Sequence, residues 1–309
     1  MKNWVAINGD FQQKGEKIIF YGGIINSQNH MPNDNSSLGK HGILLFEDML
    51  SNGEIETCVE FETFNKFDEA EILFNYQDDA NFMCAGVTNS PAKYECKTYN
   101  SQWNYIKLAG FMNEPASNKY TLKVRIVGSA VDLYINNIKV FSAVSNSPIH
   151  KTNVGMWVRS KNNITISNYR ANYKKASAFV VSQFGGDYDI LYGDVIKPVC
   201  ESMSYEPIRG DEMATCAMIL DDIIASIKNA AVVIADVTPD NPNVFYEIGY
   251  AHAINKPTIL LCEKNCRNKL PFDISGFRTI FYDNSIGGKK LVEERLKEHL
   301  MALNQYQTV

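Results

Sequence analysis

The chain up to about residue 175 has an apolar pattern with a period of two residues. Its short apolar runs are separated by Gly, Asn and Ser. Because successive side chains of a strand point to opposite faces, this pattern predicts antiparallel strands in a sandwich or barrel. We predict strands at residues 17–21, 42–46, 54–61, 70–76, 81–87, 103–108, 120–127, 130–135, 155–158 and 163–169. The pair 120–127 and 130–135 alternates strictly, which predicts a hairpin with one solvated face.

From about residue 177 the pattern changes to short β-branched strands that alternate with segments of helical period. This alternation predicts βαβ units and a parallel sheet. Strands are expected at residues 178–182, 206–209, 231–237, 258–262 and 278–282. Helices are expected at 188 to about 203, with a bend or stop near Pro198, and at 217–228, 242–255 and 287 to about 304. Five such strands fit a flavodoxin-like α/β domain, whose ligand lies outside the carboxyl ends of the strands.

A length of 309 residues exceeds what one hydrophobic core usually serves, so two domains are expected. We assign residues 1–175 to an all-β sandwich of the jelly-roll type and residues 176–309 to the α/β domain. The linker is the short polar stretch at residues 173–177.

Composition and charge narrow the class of protein. With 45% hydrophobic and 21% charged residues, the chain is globular. A formal net charge of −5 provides no basic field for nucleic acid. The sequence has no apolar run long enough for a membrane helix and no signal peptide at its start, and its seven cysteines are scattered. These features predict a cytoplasmic protein without disulfides or membrane contact.

Polar residues cluster where the predicted parallel strands end. Ser182, Phe184 and Gly185 follow the first strand, Arg209 and Asp211 the second, and Asp236 the third; Asn241 and Asn243 come just before the next helix. The carboxyl ends of parallel strands meet at one sheet edge, so a ligand site is expected there. Pro242 after a capping Asn leaves backbone N–H groups suited to an anion.

Glu247 lies within two turns of the start of that helix, in an otherwise mostly apolar stretch. A carboxylate partly buried beside the strand ends would have a raised pKa. It would suit cleavage of a glycosidic bond, whose transition state resembles an oxocarbenium ion. The alternative is a structural ion pair with Arg209 or a lysine, and the spacing leaves both open.

Other kinds of site find little support. Cys262 and Cys266 lack the spacing and the second pair of a zinc site, so no metal is expected. No phosphate-binding loop or dinucleotide glycine motif is present. The sandwich contains no paired-carboxylate motif of the glucanase kind. Alternating glutamates at 54, 56, 60 and 62 indicate an edge strand with a solvated acidic face.

Residues 178–262 resemble the bacterial TIR-like and nucleoside 2-deoxyribosyltransferase-like families. The likeness rests on the strand 179–184 with its following segment, on residues 227–238 and, most specifically, on the run NPNVFYEIGYAHA at 241–253. The sequence departs from the families at Ser182-Gln183-Phe184-Gly185, where Met-Pro-Phe-Gly is frequent, so the pocket there has its own shape. The resemblance implies a nucleotide site and, in active members, cleavage of an N-glycosidic bond by a helix glutamate, here Glu247.

On this resemblance the leading hypothesis is a hydrolase that cleaves NAD as substrate, without a cofactor, as a bacterial anti-phage or stress effector. Phe184 and Tyr250 would pack a base or ribose, and Arg209 with residues 241–243 would hold phosphate. Asp211 or Asp236 would orient ribose hydroxyls or Arg209. Nucleoside deoxyribosyl transfer, nucleotide N-glycosidase action and non-catalytic nucleotide binding are the alternatives. TIR-like sites are often completed by a neighbouring subunit, which implies a homo-oligomer.

The N-terminal half is similar to concanavalin-A-like jelly rolls of the laminin-G and glucanase-related type. The likeness rests on residues 120–128, 131–140 and 154–158. It implies a sensing or assembly module that binds a protein or a carbohydrate-like ligand and regulates the α/β domain.

Overall fold

A computed structural model describes residues 3–25, 38–90, 92–111, 117–145, 149–212, 219–266, 270–277 and 279–305. The chain divides into two compact units. The first comprises Met1–Ile126, Ala130–Ala143 and Lys151–Lys174, and the second comprises Val127–Ser129, Val144–His150 and Lys175–Val309. The passage into the α/β segment therefore falls between Lys174 and Lys175, within the stretch expected to be the linker.

The first unit is built from β-strands. In chain order they are β1 (Trp4–Asn8), β2 (Phe11–Lys14), β3 (Lys17–Phe20), β4 (Lys40–Leu50), β5 (Gly53–Phe61), β6 (Glu69–Asp78), β7 (Asn81–Thr88), β8 (Ala92–Asn100), β9 (Trp103–Phe111), β10 (Lys119–Val127), β11 (Ala130–Ile135), β12 (Ile138–Val144), β13 (Thr152–Ser160) and β14 (Ile164–Tyr173).

These strands form two seven-stranded sheets, in the orders β1-β4-β13-β6-β7-β8-β9 and β12-β11-β10-β5-β14-β3-β2. Neighbouring strands run antiparallel, as β4 with β13 and β5 with β10. The predicted jelly-roll β-sandwich is confirmed. In β10 and β11 every second residue is buried and the others are partly or fully exposed, as the alternation predicts.

The two sheets pack face to face. Phe46 of the first sheet stacks on Tyr169 of the second, with ring centroids 3.6 Å apart. Because side chains alternate along a strand, Ile43 and Leu45 of the same β4 strand point to the outer face of the first sheet. They belong there to a second apolar cluster with Trp157 and Phe82. The first sheet is therefore buried on both faces near its centre.

The glutamates of β5 do not mark an edge strand, because β5 is the fourth of seven strands in its sheet. Their outward face is charged but paired across strands. Glu56 accepts from Arg170 at 2.8 Å, and Glu60 lies 3.7 Å from Lys119. A central strand can carry this acidic face because the neighbouring strands supply cations.

The second unit contains a parallel sheet and helices. Its elements are β15 (Ala176–Val181), α1 (Asp187–Leu191), a π-helical turn (Tyr192–Ile196), α2 (Lys197–Ser202), β16 (Tyr205–Arg209), α3 (Ile219–Asn229), β17 (Val232–Asp236), α4 (Pro242–Ala253), β18 (Thr258–Glu263), β19 (Thr279–Tyr282) and α5 (Ile286–Gln305). The sheet has five parallel strands in the order β16-β15-β17-β18-β19, so the predicted sheet with its helices is confirmed. Ala217 and Arg278, the expected starts of a helix and a strand, lie outside the described residues.

The helix expected to bend or stop near Pro198 does not stop there but continues through a π-helical turn. Proline lacks an N–H group and its ring clashes with the preceding turn, so an α-helix cannot pass it unchanged. The five-residue turn at Tyr192–Ile196 widens the helix just before Pro198, which then occupies the first turn of α2.

Two apolar clusters cover the two faces of this sheet. Residues of α1, α2 and α5 pack on one face, where Val180 and Ile234 point. Residues of α3 and α4 pack on the other, where Phe179 and Val233 point. The helix that follows β15 packs on one face of the sheet, and the helix that follows β17 packs on the other. A crevice therefore opens at the carboxyl end of β15, between these two connections.

Candidate functional site

A pocket of about 400 Å³ lies at this crevice, where β15 ends and α3 and α4 approach. Its apolar wall consists of Phe179, Val180, Val181, Leu220, Ile223 and Val244. Its polar groups come from Ser182, Gln183, Asn241, Asn243 and Glu247, and two aromatic rings, Phe184 and Tyr246, together with Gly210 complete the described lining. An apolar pocket with a few convergent polar groups is the usual form of a small-molecule site.

Glu247 is the one carboxylate among the described residues that line this pocket, and none of the others is charged near neutral pH. Its carboxylate is half-buried, and no residue in the described part of the chain gives it a hydrogen bond or an ion pair. Burial without a partner raises the pKa of Glu247 from 4.5 to about 7, because the charged form loses water and gains nothing in return. The other reading left open by the sequence, an ion pair with Arg209 or a lysine, is not found among the described residues, and Arg209 instead pairs with Asp189 and Asp211.

The start of α4 brings Glu247 to the pocket. The Asn241 side chain accepts a hydrogen bond from the backbone N–H of Asn243 at 3.0 Å, which is a helix N-cap, and Pro242 follows as the first helical residue. Val244 and Ile248 anchor one face of the helix in the core. Glu247, between them in sequence, therefore faces the pocket beside Asn243.

The end of β15 supplies the opposite wall. The Ser182 Oγ is buried and has no hydrogen-bond partner in the described residues. A buried hydroxyl without a partner costs free energy, so a ligand atom there would be favourable. Phe184, two residues further, is 55% exposed, and its ring is free to cover a ligand.

Arg209 does not line the pocket, which is a correction to its expected role. Its guanidinium is buried and forms a bidentate pair with Asp211, with Nε 2.6 Å from Oδ1. Its third donor reaches Asp189 Oδ1 at 2.8 Å. Arg209 is therefore buried with three of its five N–H donors on two carboxylates and is not presented to the pocket, and Asp211 orients Arg209 rather than ribose.

The loop after β15 is held by the same network. Gly185 adopts a positive φ of 96°, which favours glycine, and its N–H donates to Asp189 Oδ1 at 3.0 Å. Asp189 thus ties the loop to Arg209, whose guanidinium carbon lies 5.4 Å from the centre of the Phe184 ring. Gly185 itself lies outside the Glu247 pocket, and Asp189 was not foreseen from the sequence.

Asp236 is also a structural residue. It is 2% exposed, accepts from the Thr238 N–H at 2.8 Å and from the Tyr282 hydroxyl at 2.8 Å, and does not contact Arg209. Burial raises its pKa, while these hydrogen bonds act in the opposite direction. Its expected role in orienting ribose or Arg209 is therefore not met.

The aromatic residue of α4 that lines the pocket is Tyr246, not Tyr250. Tyr250 packs against the α3–α4 apolar cluster, with Lys228 Nζ 5.9 Å from its ring centre. Four residues along a helix correspond to about 6 Å, so Tyr250 lies too far from the strand ends. The sequence does contain a signal for this choice, because Tyr246 is five residues after the N-cap Asn241 and Tyr250 is nine residues after it.

The sandwich holds a charged cluster that the sequence did not reveal. Glu69, Glu71 and Glu95 converge on the outer face of the first sheet, and Lys97 Nζ lies among them, 3.0 Å from Glu69 and 3.3 Å from Glu71. The three carboxylates have a spacing suited to a metal ion, but the buried ammonium of Lys97 already provides the cation. Glu71 is fully buried, and burial raises its pKa well above the ordinary value.

A scan against known protein families gives no match, and a search of curated proteins gives none either. Among solved structures, the chain is similar to the carbohydrate binding module CBM66 from Bacillus subtilis (16% identity, 55% of this chain and 94% of that chain, TM-score 0.44). It is also similar to a prokaryotic β-1,3-1,4-glucanase (lichenase) derived from a mouse hindgut metagenome (10% identity, 54% and 91%, TM-score 0.39). Both matches concern the N-terminal part. The resemblance of the C-terminal part to TIR-like and deoxyribosyltransferase-like proteins stays a prediction.

In the described part of the chain, no helix is long and apolar enough to cross a membrane.

Proposed function

We propose that this chain cleaves the N-glycosidic bond between nicotinamide and ribose in NAD, with Glu247 as the catalytic carboxylate. The observation that carries the proposal is a half-buried carboxylate that has no partner among the described residues, in a pocket whose described lining is otherwise uncharged. The strand order β16-β15-β17-β18-β19 supports the proposal, because it is the 2-1-3-4-5 order of flavodoxin-like sheets. Such sheets bind ligands at the carboxyl ends of the first and third strands, where the connections leave toward opposite faces. The pocket lies at that point.

The chemistry needs one negative charge close to the ribose. As the bond from ribose C1′ to the nicotinamide nitrogen breaks, its electron pair leaves with nicotinamide, which becomes neutral, and positive charge develops on the ribose. The ionised carboxylate of Glu247 stabilises that charge or bonds to C1′, and water then adds to C1′ and releases a proton. The apolar wall keeps the surroundings poor in water, which strengthens the attraction.

A specific observation also favours a second candidate, nucleoside deoxyribosyl transfer. The described residues that line the pocket include no Lys, Arg or His, so a neutral nucleoside fits its charge as well as the nicotinamide riboside end of NAD does. The same Glu247 would act at C1′. Incubation with a deoxynucleoside and a different free base separates the two reactions, because only a transferase yields a new nucleoside.

The sandwich is proposed to act as the sensing or assembly unit, with activity in a homo-oligomer. Light scattering of the active protein tests this arrangement. A fully active monomer would contradict the oligomer.

The primary test is incubation of the full chain with NAD at high protein concentration, with free nicotinamide measured by chromatography. Glu247→Gln should abolish release, whereas Glu201→Gln, at an exposed position on α2, should retain it. If the ionised carboxylate acts, turnover should rise about tenfold per pH unit below pH 7 and level off above it, since its pKa is about 7. Release that persists in Glu247→Gln would refute the role of this residue. Nucleotide binding without turnover in any assembly state would favour a non-catalytic module.

A further inference from the structure

A second pocket, of about 420 Å³, lies on the other side of the loop that follows β15. Gln183 and Phe184 line both pockets, so this loop forms a partition between them. The partition is anchored, because Asp189 holds the next residue, Gly185, and Arg209 in turn holds Asp189. Because the two pockets share one wall, a ligand with two parts could place one part in each pocket.

The two pockets differ in charge. The Glu247 pocket is mostly apolar, whereas the described residues that line the second pocket contribute the carboxylates of Asp187, Glu263 and Asp283 and one ammonium group, that of Lys289. Lys289 Nζ lies 3.0 Å from Asp194 Oδ2, and Lys264 Nζ lies 3.5 Å from Asp283 Oδ2, so the charges of Lys289 and Asp283 are already paired. Asp187 and Glu263 have no ion pair with a described cation, so the described lining is net negative. It disfavours a phosphate while offering oxygen acceptors.

Oxygen acceptors of this kind recognise the hydroxyl groups of a ribose. In dinucleotide-binding sites an acidic residue bonds the adenosine ribose 2′-hydroxyl, and a basic residue is needed where that position carries a phosphate. Tyr188, half-buried in the second pocket, adds an aromatic ring beside these acceptors. The lining thus fits an uncharged adenosine with a free 2′-hydroxyl group.

We infer that the second pocket receives the adenosine half of the dinucleotide and that its carboxylates make the protein select NAD over NADP; this inference rests on the proposed function. The nicotinamide riboside end lies against Glu247, and the pyrophosphate crosses the partition at Phe184. A 2′-phosphate would bring about −2 charge beside the carboxylates of Asp187 and Glu263, which no described cation pairs. Repulsion would then exclude NADP.

The test compares kcat/KM for NAD, NADP and nicotinamide mononucleotide, which lacks the adenosine half. We expect NAD to exceed NADP at least tenfold. Glu263→Gln should narrow this ratio at least fivefold, mainly by improving NADP, and should leave the mononucleotide unchanged. Glu206→Gln, at an exposed position of β16, is the matched control. Equal rates for NAD and NADP, or an unchanged ratio in Glu263→Gln, would overturn the inference while NAD cleavage itself stood.

A binding readout separates failure of the inference from failure of the proposed function. Cys266 lines the second pocket and is exposed, whereas the other described cysteines are buried. NAD and adenosine should slow alkylation of Cys266 in Glu247→Gln protein, as located by peptide mapping, and nicotinamide mononucleotide should not. If NAD is not cleaved, protection by adenosine still supports adenosine binding. If NAD is cleaved without protection, the inference fails alone.

Discussion

Replacement of Glu247 by glutamine should stabilise the second unit at pH 8. In the folded protein the charged carboxylate has lost part of its water and has no described partner, which raises its pKa from 4.5 to about 7. Above pH 7 the wild-type protein must keep that charge in the pocket, whereas glutamine carries none. The gain in stability and the loss of activity therefore come from the same change.

The size of the effect follows from the linkage between protonation and folding. At about 1.36 kcal/mol per pH unit, the interval from 4.5 to about 7 corresponds to about 3.4 kcal/mol. Because the carboxylate keeps some contact with solvent, screening lowers this value to about 2 kcal/mol. The folded state binds the proton more tightly than the unfolded state. Wild-type stability therefore falls as the pH rises from 4.5 through about 7, and the variant escapes that fall.

The two units can be followed separately in one urea titration. All described α-helices lie in the second unit, so circular dichroism at 222 nm reports it, and Trp4, Trp103 and Trp157 all lie in the first. At pH 8 the helix transition of Glu247→Gln should exceed that of wild type by about 2 kcal/mol, with most of the difference gone at pH 5. Tryptophan fluorescence should not change. The same difference at both pH values would show that Glu247 is not desolvated, and would remove the basis for its role.

Three further tests, with five substitutions, address other parts of the structure. Arg209→Lys should destabilise the helix transition by about 2 kcal/mol, because an ammonium cannot keep the fork that binds two carboxylates; an unchanged midpoint would contradict this. Tyr246→Ala should raise KM for NAD about tenfold in initial-rate measurements, whereas Tyr250→Phe should not, and the reverse order would reassign the aromatic wall. Lys97→Met should destabilise the fluorescence transition of the sandwich by about 3–5 kcal/mol, whereas Glu71→Gln should change it by less than about 1 kcal/mol; equal losses would mean that Glu71 is ionised.

Most of the fold could be predicted because the spacing of apolar residues along the chain shows which side chains of a strand or helix are buried. The alternation of β10 and β11 and the apolar runs of β15 and β17 needed no further information. β8 was missed because its Lys97 and Glu95 look like surface residues in sequence. They are buried only because residues distant in the chain, such as Glu69, supply the opposite charge.

The location of the candidate site could also be predicted, but the pairing of its side chains could not. The carboxyl ends of parallel strands lie at one edge of the sheet regardless of how their side chains pair, so Ser182 and Phe184 were expected at that edge. Whether Arg209 faces a ligand or Asp211 depends on the turn that follows β16, a matter of a few ångströms. Sequence spacing does not resolve that distance.

The pairing pattern itself argues for function at Glu247. In the second unit, Asp236 is satisfied by two donors, and Asp189 and Asp211 share the guanidinium of Arg209. Asp236 is buried and its two hydrogen bonds offset that burial, whereas Asp189 and Asp211 are exposed and hold Arg209 in place. Glu247 is buried at a cost in stability and forms no such bond among the described residues. Glutamine or an apolar residue would be more stable at this position if its role were purely structural. The carboxylate is therefore explained by an interaction of its charge with a ligand in the pocket.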